Sequence, residues 1–527
     1  MAEINTLIVR ESFGTYGLQG PPFKPWDNFK KDEEEAKFAV ISPAGNRFAV
    51  GNSSTVTIFD TQTGGQVAVI RHRMIKAELS PNGKYLIGWE NPSQNTDNFK
   101  IWSIDGESGP SVAYALKLSK PPEVHFSGDE ALFARLATNA VIFADVPEFP
   151  KTAKKTPESL NISRFSVSPG TGPVHVLCYV PATKSGMPSN ARLFRYPDFE
   201  TTIASRSFFQ ADRIDMKWNP RGNAVLLTAS QDIDKTGKSY YGKSMLYYLD
   251  TKGEAATVQT DSDAPIIHAA EWCPNSNDFC VITGKMPNTR AAMFNNKCEV
   301  IFDMGISARN AVHFNAQGNL VVLGAFGNLG SGNIEVWEVR KLKKKISQTQ
   351  VAAVTQLLWL NDGVHFVTAT TAPRMQVDNN FKVWDFGCQM VHEWNAKKLF
   401  FGFQPFCSPT PPKFPDGKLE GLVQKLGSKP IPRREETQKA TAYVPVHLRK
   451  KGGAGALVPK AQANQSKPES AQLSETEKKI KAARKKLDQI QKLKDQQKEG
   501  KVLEKNQLDK IATEASLIKE IQSLELE

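Results

Sequence analysis

Ser80-Pro81-Asn82-Gly83-Lys84-Tyr85-Leu86-Ile87-Gly88-Trp89 is a tight turn running into an apolar strand, and Lys100-Ile101-Trp102 further on is a short strand ending in a large aromatic. The turn holds the residues that turns require: proline presets φ, glycine accepts positive φ, and asparagine closes local hydrogen bonds. The unit recurs. Its other turns are Ser42-Pro43-Ala44-Gly45, Ser127-Gly128-Asp129, Ser168-Pro169-Gly170, Asn219-Pro220-Arg221-Gly222, Cys273-Pro274-Asn275-Ser276, Asn315-Ala316-Gln317-Gly318 and Asn361-Asp362-Gly363. Measured from residue to residue at 43, 81, 128, 169, 220, 274, 316 and 362, the spacings are 38, 47, 41, 51, 54, 42 and 46. That is the period of a four-stranded propeller blade with variable loops.

The strand after the long loop supports the same reading. Thr57-Ile58-Phe59-Asp60, Glu335-Val336-Trp337 and Lys382-Val383-Trp384-Asp385 alternate apolar and polar residues and end on an aromatic, often followed by an acid. The aromatic is placed to pack between blades. Eight turns imply eight blades, with residues 6–10 and Leu399-Phe400-Phe401-Gly402-Phe403 left over at the two ends. A ninth blade assembled from both would close the ring and remove its open edges. Nine blades are therefore expected, eight being the alternative. The fold class is all-β, a WD-repeat-like propeller over residues 1–408. Residues 90–98, 181–190, 231–243, 284–292, 324–333 and 371–380 are expected to be long second-to-third-strand loops sharing one face, either for binding or as neutral variation in length.

Beyond the repeats the composition changes. Residues 409–473 are rich in Pro, Gly, Lys and Gln and poor in large apolar side chains, which predicts a disordered basic linker. Residues 474–527 lack proline and carry two apolar stripes, Ile480, Leu487, Ile490 and then Leu508, Ile511, Ala515, Ile518, Ile521, separated by Glu499-Gly500. This predicts an α-helical hairpin.

Charge shows the same division. The net charge is +12, yet residues 1–408 hold 42 Lys plus Arg against 39 Asp plus Glu, while residues 409–527 hold 25 against 16. Arg433, Arg434, Arg449, Lys450 and Lys451 lie in the linker, and Lys478, Lys479, Lys481, Arg484, Lys485 and Lys486 crowd the first helix. Few acids are near enough to pair them, so they form a candidate RNA-binding set directed at phosphate. The plainer alternative is a solvated face.

Enzymatic signals are weak. Gly237-Lys238-Ser239-Tyr240-Tyr241-Gly242-Lys243-Ser244 satisfies the phosphate-loop pattern, but that chemistry needs a helix directly after it, and Met245-Leu246-Tyr247-Tyr248-Leu249-Asp250 reads as a strand. His125, His313 and His365 each sit beside a repeat turn without a second ligand at metal spacing, which predicts structural roles. No catalytic residue, metal site or cofactor is expected. The six cysteines form no Cys-x-x-Cys pair and suit a reduced compartment, with the thiols acting as small apolar groups. There is no bilayer-spanning apolar run and no secretory signal pattern at the N-terminus. A monomer without membrane attachment is expected.

Several segments together resemble the eukaryotic translation initiation factor 2A family. They are Asp234-Lys235-Thr236-Gly237-Lys238-Ser239-Tyr240-Tyr241-Gly242, Thr368-Ala369-Thr370-Thr371-Ala372-Pro373-Arg374, Phe403-Gln404-Pro405-Phe406, Ala440-Thr441-Ala442-Tyr443 and Leu503-Glu504-Lys505-Asn506-Gln507-Leu508-Asp509-Lys510-Ile511. The resemblance implies a cytoplasmic nine-bladed propeller that directs initiator methionyl-tRNA to the small ribosomal subunit without GTP, for selected mRNAs. It also implies a C-terminal region in contact with tRNA and mRNA, and other initiation factors as further partners. The short linker between Lys451 and Glu475 departs from the family pattern. The propeller scaffold subunit of initiation factor 3 is the rival, but its RNA-recognition domain has no room before Phe38. A propeller scaffold for protein–protein assembly without direct RNA binding is the alternative from another class.

Overall fold

The computed structural model describes residues 5–421 apart from 30–33, 94–95, 107, 185–186, 209–210, 212, 232–241, 261–265, 329, 397, 409, 416 and 418, together with Ile490. Nine four-stranded antiparallel sheets make a nine-bladed β-propeller. Blades 1 to 8 are consecutive meanders. Their first strands are Phe38–Ile41, Lys76–Leu79, Val124–Phe126, Arg164–Val167, Arg213–Trp218, Ile267–Trp272, Ala311–Phe314 and Gln356–Trp359.

The ninth blade is composite. Its order is Lys24–Pro25, Gly14–Gly20, Asn5–Glu11 and then Phe400–Pro405, so the last strand of the ring pairs with the first strand of the chain. The register sets Leu7 against Pro405 and Val9 against Phe403, with a bulge between Arg10 and Glu11. Side chains alternate across this strand as the pleat requires. Leu7 and Val9 join Phe400 and Phe403 against Val367, Phe381 and Val383 of blade 8. Ile8, on the opposite face, joins Trp26, Phe29, Phe48 and Val50 and so reaches blade 1.

Burial of both faces explains why central strands read as unbroken apolar runs rather than alternations. In Leu320–Gly324, Val321 and Leu323 pack toward blade 6 while Leu320 and Val322 pack toward blade 8. The third-strand aromatics lie at these same seams. Trp102 packs between blades 1 and 2, Trp337 between blades 6 and 7, and Trp384 between blades 7 and 8.

Several marker turns do two jobs. In at least four of them the first residue caps the next strand: Tyr85 N donates to Ser80 Oγ (2.9 Å), Leu132 N to Ser127 Oγ (3.0 Å), His175 N to Ser168 Oγ (2.9 Å) and Leu320 N to Asn315 Oδ1 (3.1 Å). Neighbouring turns then bond laterally. Asn46 Nδ2 donates to Asn82 O (2.8 Å), Asn82 Nδ2 to Gly128 O (3.1 Å), Asn275 Nδ2 to Gln317 O (2.8 Å) and Asn315 Nδ2 to Gly363 O (3.1 Å). The seam between blades 8 and 9 continues the belt, with Asn5 Nδ2 donating to Asp362 Oδ2 at 2.8 Å.

Two expectations change. Residues 284–292 are not a long loop: strands Phe279–Lys285 and Asn288–Phe294 stay paired to Lys285–Asn288, and only Met286-Pro287 turn between them. Gly284 takes φ 111° there, close against Asn288 O. The linker expected from residue 409 also starts differently, because Phe414 and Leu419 are buried in the core cluster shared by blades 7 and 8.

Phe400 is fully buried in the closing blade. Phe400→Ala should lower unfolding free energy by about 3–5 kcal/mol, since the ring on both sides of the cavity resists collapse. Val391→Ala, on an exposed outer strand, should change it by no more than about 0.5 kcal/mol. Chemical denaturation monitored by tryptophan fluorescence distinguishes the two.

Candidate nucleic-acid interface

The acid after the third-strand aromatic has a defined task. Asp60 Oδ1 accepts from the N–H groups of Gln62 (3.0 Å) and Thr63 (2.9 Å), and Asp250 Oδ1 from Lys252 (2.9 Å) and Glu254 (3.0 Å). Asn295 does the same for Lys297 and Glu299, and Asp385 for Gln389. Each fixes the turn into the outer strand and satisfies backbone N–H groups within it.

Blade 7 extends the device. Buried Glu338 accepts from Arg340 N (3.1 Å), Lys341 N (3.0 Å), Leu342 N and Lys343 N (3.2 Å), so one carboxylate gathers four successive amides. Lys343 takes left-handed backbone, φ 47°. The turn so held reads Arg340-Lys341-Leu342-Lys343 and runs into the outer strand Lys344–Gln350, which opens Lys344-Lys345, and the next acid in the chain is Asp362. Arg340, Lys341, Lys343 and Lys344 are exposed. Lys345 is half-buried, 3.8 Å from Glu335, whose carboxylate already binds the buried Arg309 (2.7 Å) and Trp337 Nε1 (2.9 Å).

The C-terminal extension crosses beside this loop. Phe406 N donates to Thr6 O (2.9 Å), Ser408 N to Asn361 Oδ1 (2.8 Å), and Pro412 O accepts from Gln317 Nε2 (2.9 Å). Phe414 then packs on Phe386 with ring centres 5.9 Å apart. Gln317 and Gly318 belong to one turn, and the Arg340 guanidinium lies over Gly318, 3.3 Å from where a β-carbon would stand. Cationic loop and extension therefore meet at the same turn of blade 7.

Arg433, Arg434, Arg449, Lys450, Lys451, Lys478, Lys479, Lys481, Arg484, Lys485 and Lys486 lie outside the described residues, as do 237–241 of the phosphate-loop pattern. The end of that pattern is described: Ser244 opens the strand Ser244–Asp250. Lys243 therefore leads into a strand, whereas a phosphate loop leads into a helix N-terminus that aims amides at its ligand.

The histidines serve the ring. His365 Nδ1 lies 2.6 Å from Asp362 Oδ2, His125 meets the Phe165 ring edge-on at 4.9 Å, and His313 is half-buried in the first strand of blade 7. Burial, helped by the positive charge of Lys217, pushes His313 down to about 4. Burial likewise pushes the Cys178 thiol up to about 12, Cys298 to about 11 and Cys388 to about 12, so these thiols stay protonated at neutral pH. Among the described residues no group of three or more His, Cys, Asp or Glu is arranged to hold a metal ion.

The fold is a nine-bladed propeller that carries a cationic turn on blade 7. A solved structure described as a eukaryotic initiation factor superposes with TM-score 0.69 at 27% identity, covering 77% of this chain and 100% of that one. Residues 206–401 match the family described as eukaryotic translation initiation factor eIF2A. The Caenorhabditis elegans eukaryotic translation initiation factor 2A is 31% identical over 98% of both chains. The Drosophila melanogaster counterpart is 34% identical over 81% of this chain and 69% of its own. The chain belongs to the eukaryotic translation initiation factor 2A family.

Two outcomes are expected from this geometry. Glu338→Ala should expose four orphaned amides and cost about 1–3 kcal/mol. Hydrogen exchange should then quicken at Arg340, Lys341 and Lys343 while the strand Leu320–Gly324 keeps its protection. His313, neutral in the folded protein from pH 6.5 down to about 4, binds its proton first in the unfolded chain, so stability falls as pH drops through that window. His313→Gln should remove on the order of 3 kcal/mol of that decline, read from denaturation midpoints at pH 7 and pH 4.5.

Proposed function

We propose that this protein acts in translation initiation, binding the small ribosomal subunit and directing initiator methionyl-tRNA to it without GTP for selected mRNAs. The observation that carries the reading is similarity to a eukaryotic translation initiation factor 2A over 98% of both chains. The cationic excess of residues 409–527 supplies the physical means. The propeller is the rigid docking body, while Arg433, Arg434, Arg449, Lys450, Lys451 and the cations from Lys478 to Lys486 contact RNA phosphates. Two modest contacts joined by one chain gain affinity through effective concentration. The strand after Lys243 supports a mechanism with no nucleotide bound at that loop. The setting is the cytoplasm, and the working unit is a monomer meeting other initiation factors on the ribosome.

A second reading, assembly of proteins without RNA contact, draws on the outer strand of blade 6, where Val300, Ile301 and Ile306 are exposed at the edge of their sheet.

Replacing Lys478, Lys479, Lys481, Arg484, Lys485 and Lys486 together by glutamine in the full chain separates the readings. Affinity for initiator tRNA and for small subunits should fall at least about tenfold near 0.1 M salt, and the log–log salt slope should shrink by roughly 4. Unchanged affinity would favour protein assembly.

A further inference from the structure

We infer that the cleft between blades 7 and 8, on the face of the second-to-third-strand loops, is a docking site for an acidic, extended segment of a partner protein, with Arg374 taking its carboxylate. The inference is independent of the proposed RNA contacts and uses none of the cations assigned to them.

The cleft holds about 140 Å³. Blade 7 supplies Phe326, Gly327 and Asn328, blade 8 supplies Arg374 and Met375, and the connection between the blades supplies the buried Val354. Gly327 has φ 86°, and Gly330 N donates to Gly327 O at 3.0 Å, closing a turn. A β-carbon on Gly327 would stand 3.0 Å from Arg374 Nη2, so the guanidinium lies against bare backbone. The loop that carries Arg374 is fastened on both sides of it. Met375 N donates to Thr371 O (3.0 Å), Thr371 N to Thr355 Oγ1 (2.9 Å), Ala372 N to Phe400 O (2.7 Å) and Asn379 Nδ2 to Met375 O (2.9 Å). The backbone beneath the arginine is therefore set before any ligand arrives, which lowers the ordering cost of binding.

Other arginines of the ring have partners. Arg309 binds Glu335 (2.7 Å), Arg47 binds Asp60 (2.9 Å), Arg290 binds Asp303 (2.8 Å) and Arg10 donates to Lys37 O (2.6 Å). Arg374 and Asn328, both exposed and both lining the cleft, make no hydrogen bond or ion pair among the described residues. A guanidinium is a planar fork matched to a carboxylate, and the Asn328 amide adds a further donor. One such cation beside Phe326, Val354 and Met375 suits a single carboxylate with an apolar neighbour. A nucleic-acid backbone calls for several cations in a row.

The same loop borders a second hollow, of about 580 Å³, lined in part by Gln376, Asp378, Lys398 and Leu399. Val377 comes between the residues of the two hollows and is 66% exposed. An apolar side chain standing so clear of the protein gains free energy when a partner covers it. A strand crossing the loop would meet the Arg374 guanidinium first and the Val377 crest next. Asp378 is the single acid lining either hollow and lies on the side of Lys398, so negative charge is best matched at Arg374.

The test uses the full chain and its Arg374→Gln variant in parallel. Both are applied to an array of random capped peptides of about nine residues, long enough to span ~30 Å when extended. Peptides bound by the first protein and lost by the second isolate this cleft from acid binding elsewhere on the chain. They should carry aspartate or glutamate next to an apolar residue. Measured by fluorescence anisotropy, the tightest of them should bind Arg374→Gln at least about tenfold more weakly, and Arg374→Lys, which keeps the charge without the fork, should recover only part. Changing the peptide's acid to its amide should cost as much in the natural chain and nothing further in Arg374→Gln, as a direct pair requires. Val377→Ser should weaken the same peptide roughly fivefold. Both positions are exposed, so these variants should keep the melting temperature of the natural chain. Affinity for a labelled RNA single strand of arbitrary sequence should not change in Arg374→Gln. An array with no peptide lost by the variant, or lost peptides without an acid, overturns the inference. So does weaker RNA binding by Arg374→Gln with peptide binding intact, which would assign the cleft to a phosphate backbone.

Discussion

The pairing of Phe400–Pro405 with Asn5–Glu11 is the constraint on which the rest of the molecule depends. Nine sheets arranged radially need every face covered, and a gap anywhere would bare two apolar faces at once. The composite blade fills that gap with two different surfaces. Leu7, Val9, Phe400 and Phe403 meet blade 8, while Ile8, Trp26 and Phe29 meet blade 1. Hydrophobic closure is therefore carried by one strand read on alternate sides, and turn-to-turn hydrogen bonds tie neighbouring blades together at the seams 1–2, 2–3, 7–8 and 8–9.

Upon that frame, polar groups are arranged with little slack. The same carboxylate that ends a third strand fastens the turn beyond it in blades 1, 5 and 8. Blade 7 keeps the fastening and changes the cargo: Glu338 secures backbone amides, and the side chains of that turn become a cationic display. Structural satisfaction and surface charge are separable here because the carboxylate bonds to main chain, so the side chains of the turn can differ from blade to blade.

Most of the architecture was legible in the sequence because its physics is local. Turn chemistry at Ser80-Pro81-Asn82-Gly83 and its repeats announced the period, and leftover strands at both ends announced the composite blade. The loop expected over 284–292 failed for an equally local reason: Gly284 and Pro287 resemble loop residues, yet they serve a two-residue turn inside a continuing ladder. Docking of Phe414 and Leu419 was not visible, since isolated apolar residues in a Pro-rich stretch give no period to read. The blade 7 cations were hidden by averaging. Residues 1–408 are nearly neutral in sum, and a balanced total conceals a run of five. A windowed count of charge would have found Arg340 to Lys345, although only the folded chain shows Glu338 gathering the backbone beneath it.

The order of strands in the composite blade also bears on how the chain is made. Asn5–Glu11 leaves the synthesising ribosome early, but its partner Phe400–Pro405 is polymerised nearly four hundred residues later, after roughly 20–80 seconds of elongation. Through that interval Leu7, Ile8 and Val9 form an unsealed edge on a growing polypeptide, the kind of surface that attracts wrong pairings and holdase chaperones. Nascent chains halted before Phe400 should thus accumulate as open arcs of blades, and a nonsense codon in the last propeller strand would leave nearly all of the polymer built yet unable to shut.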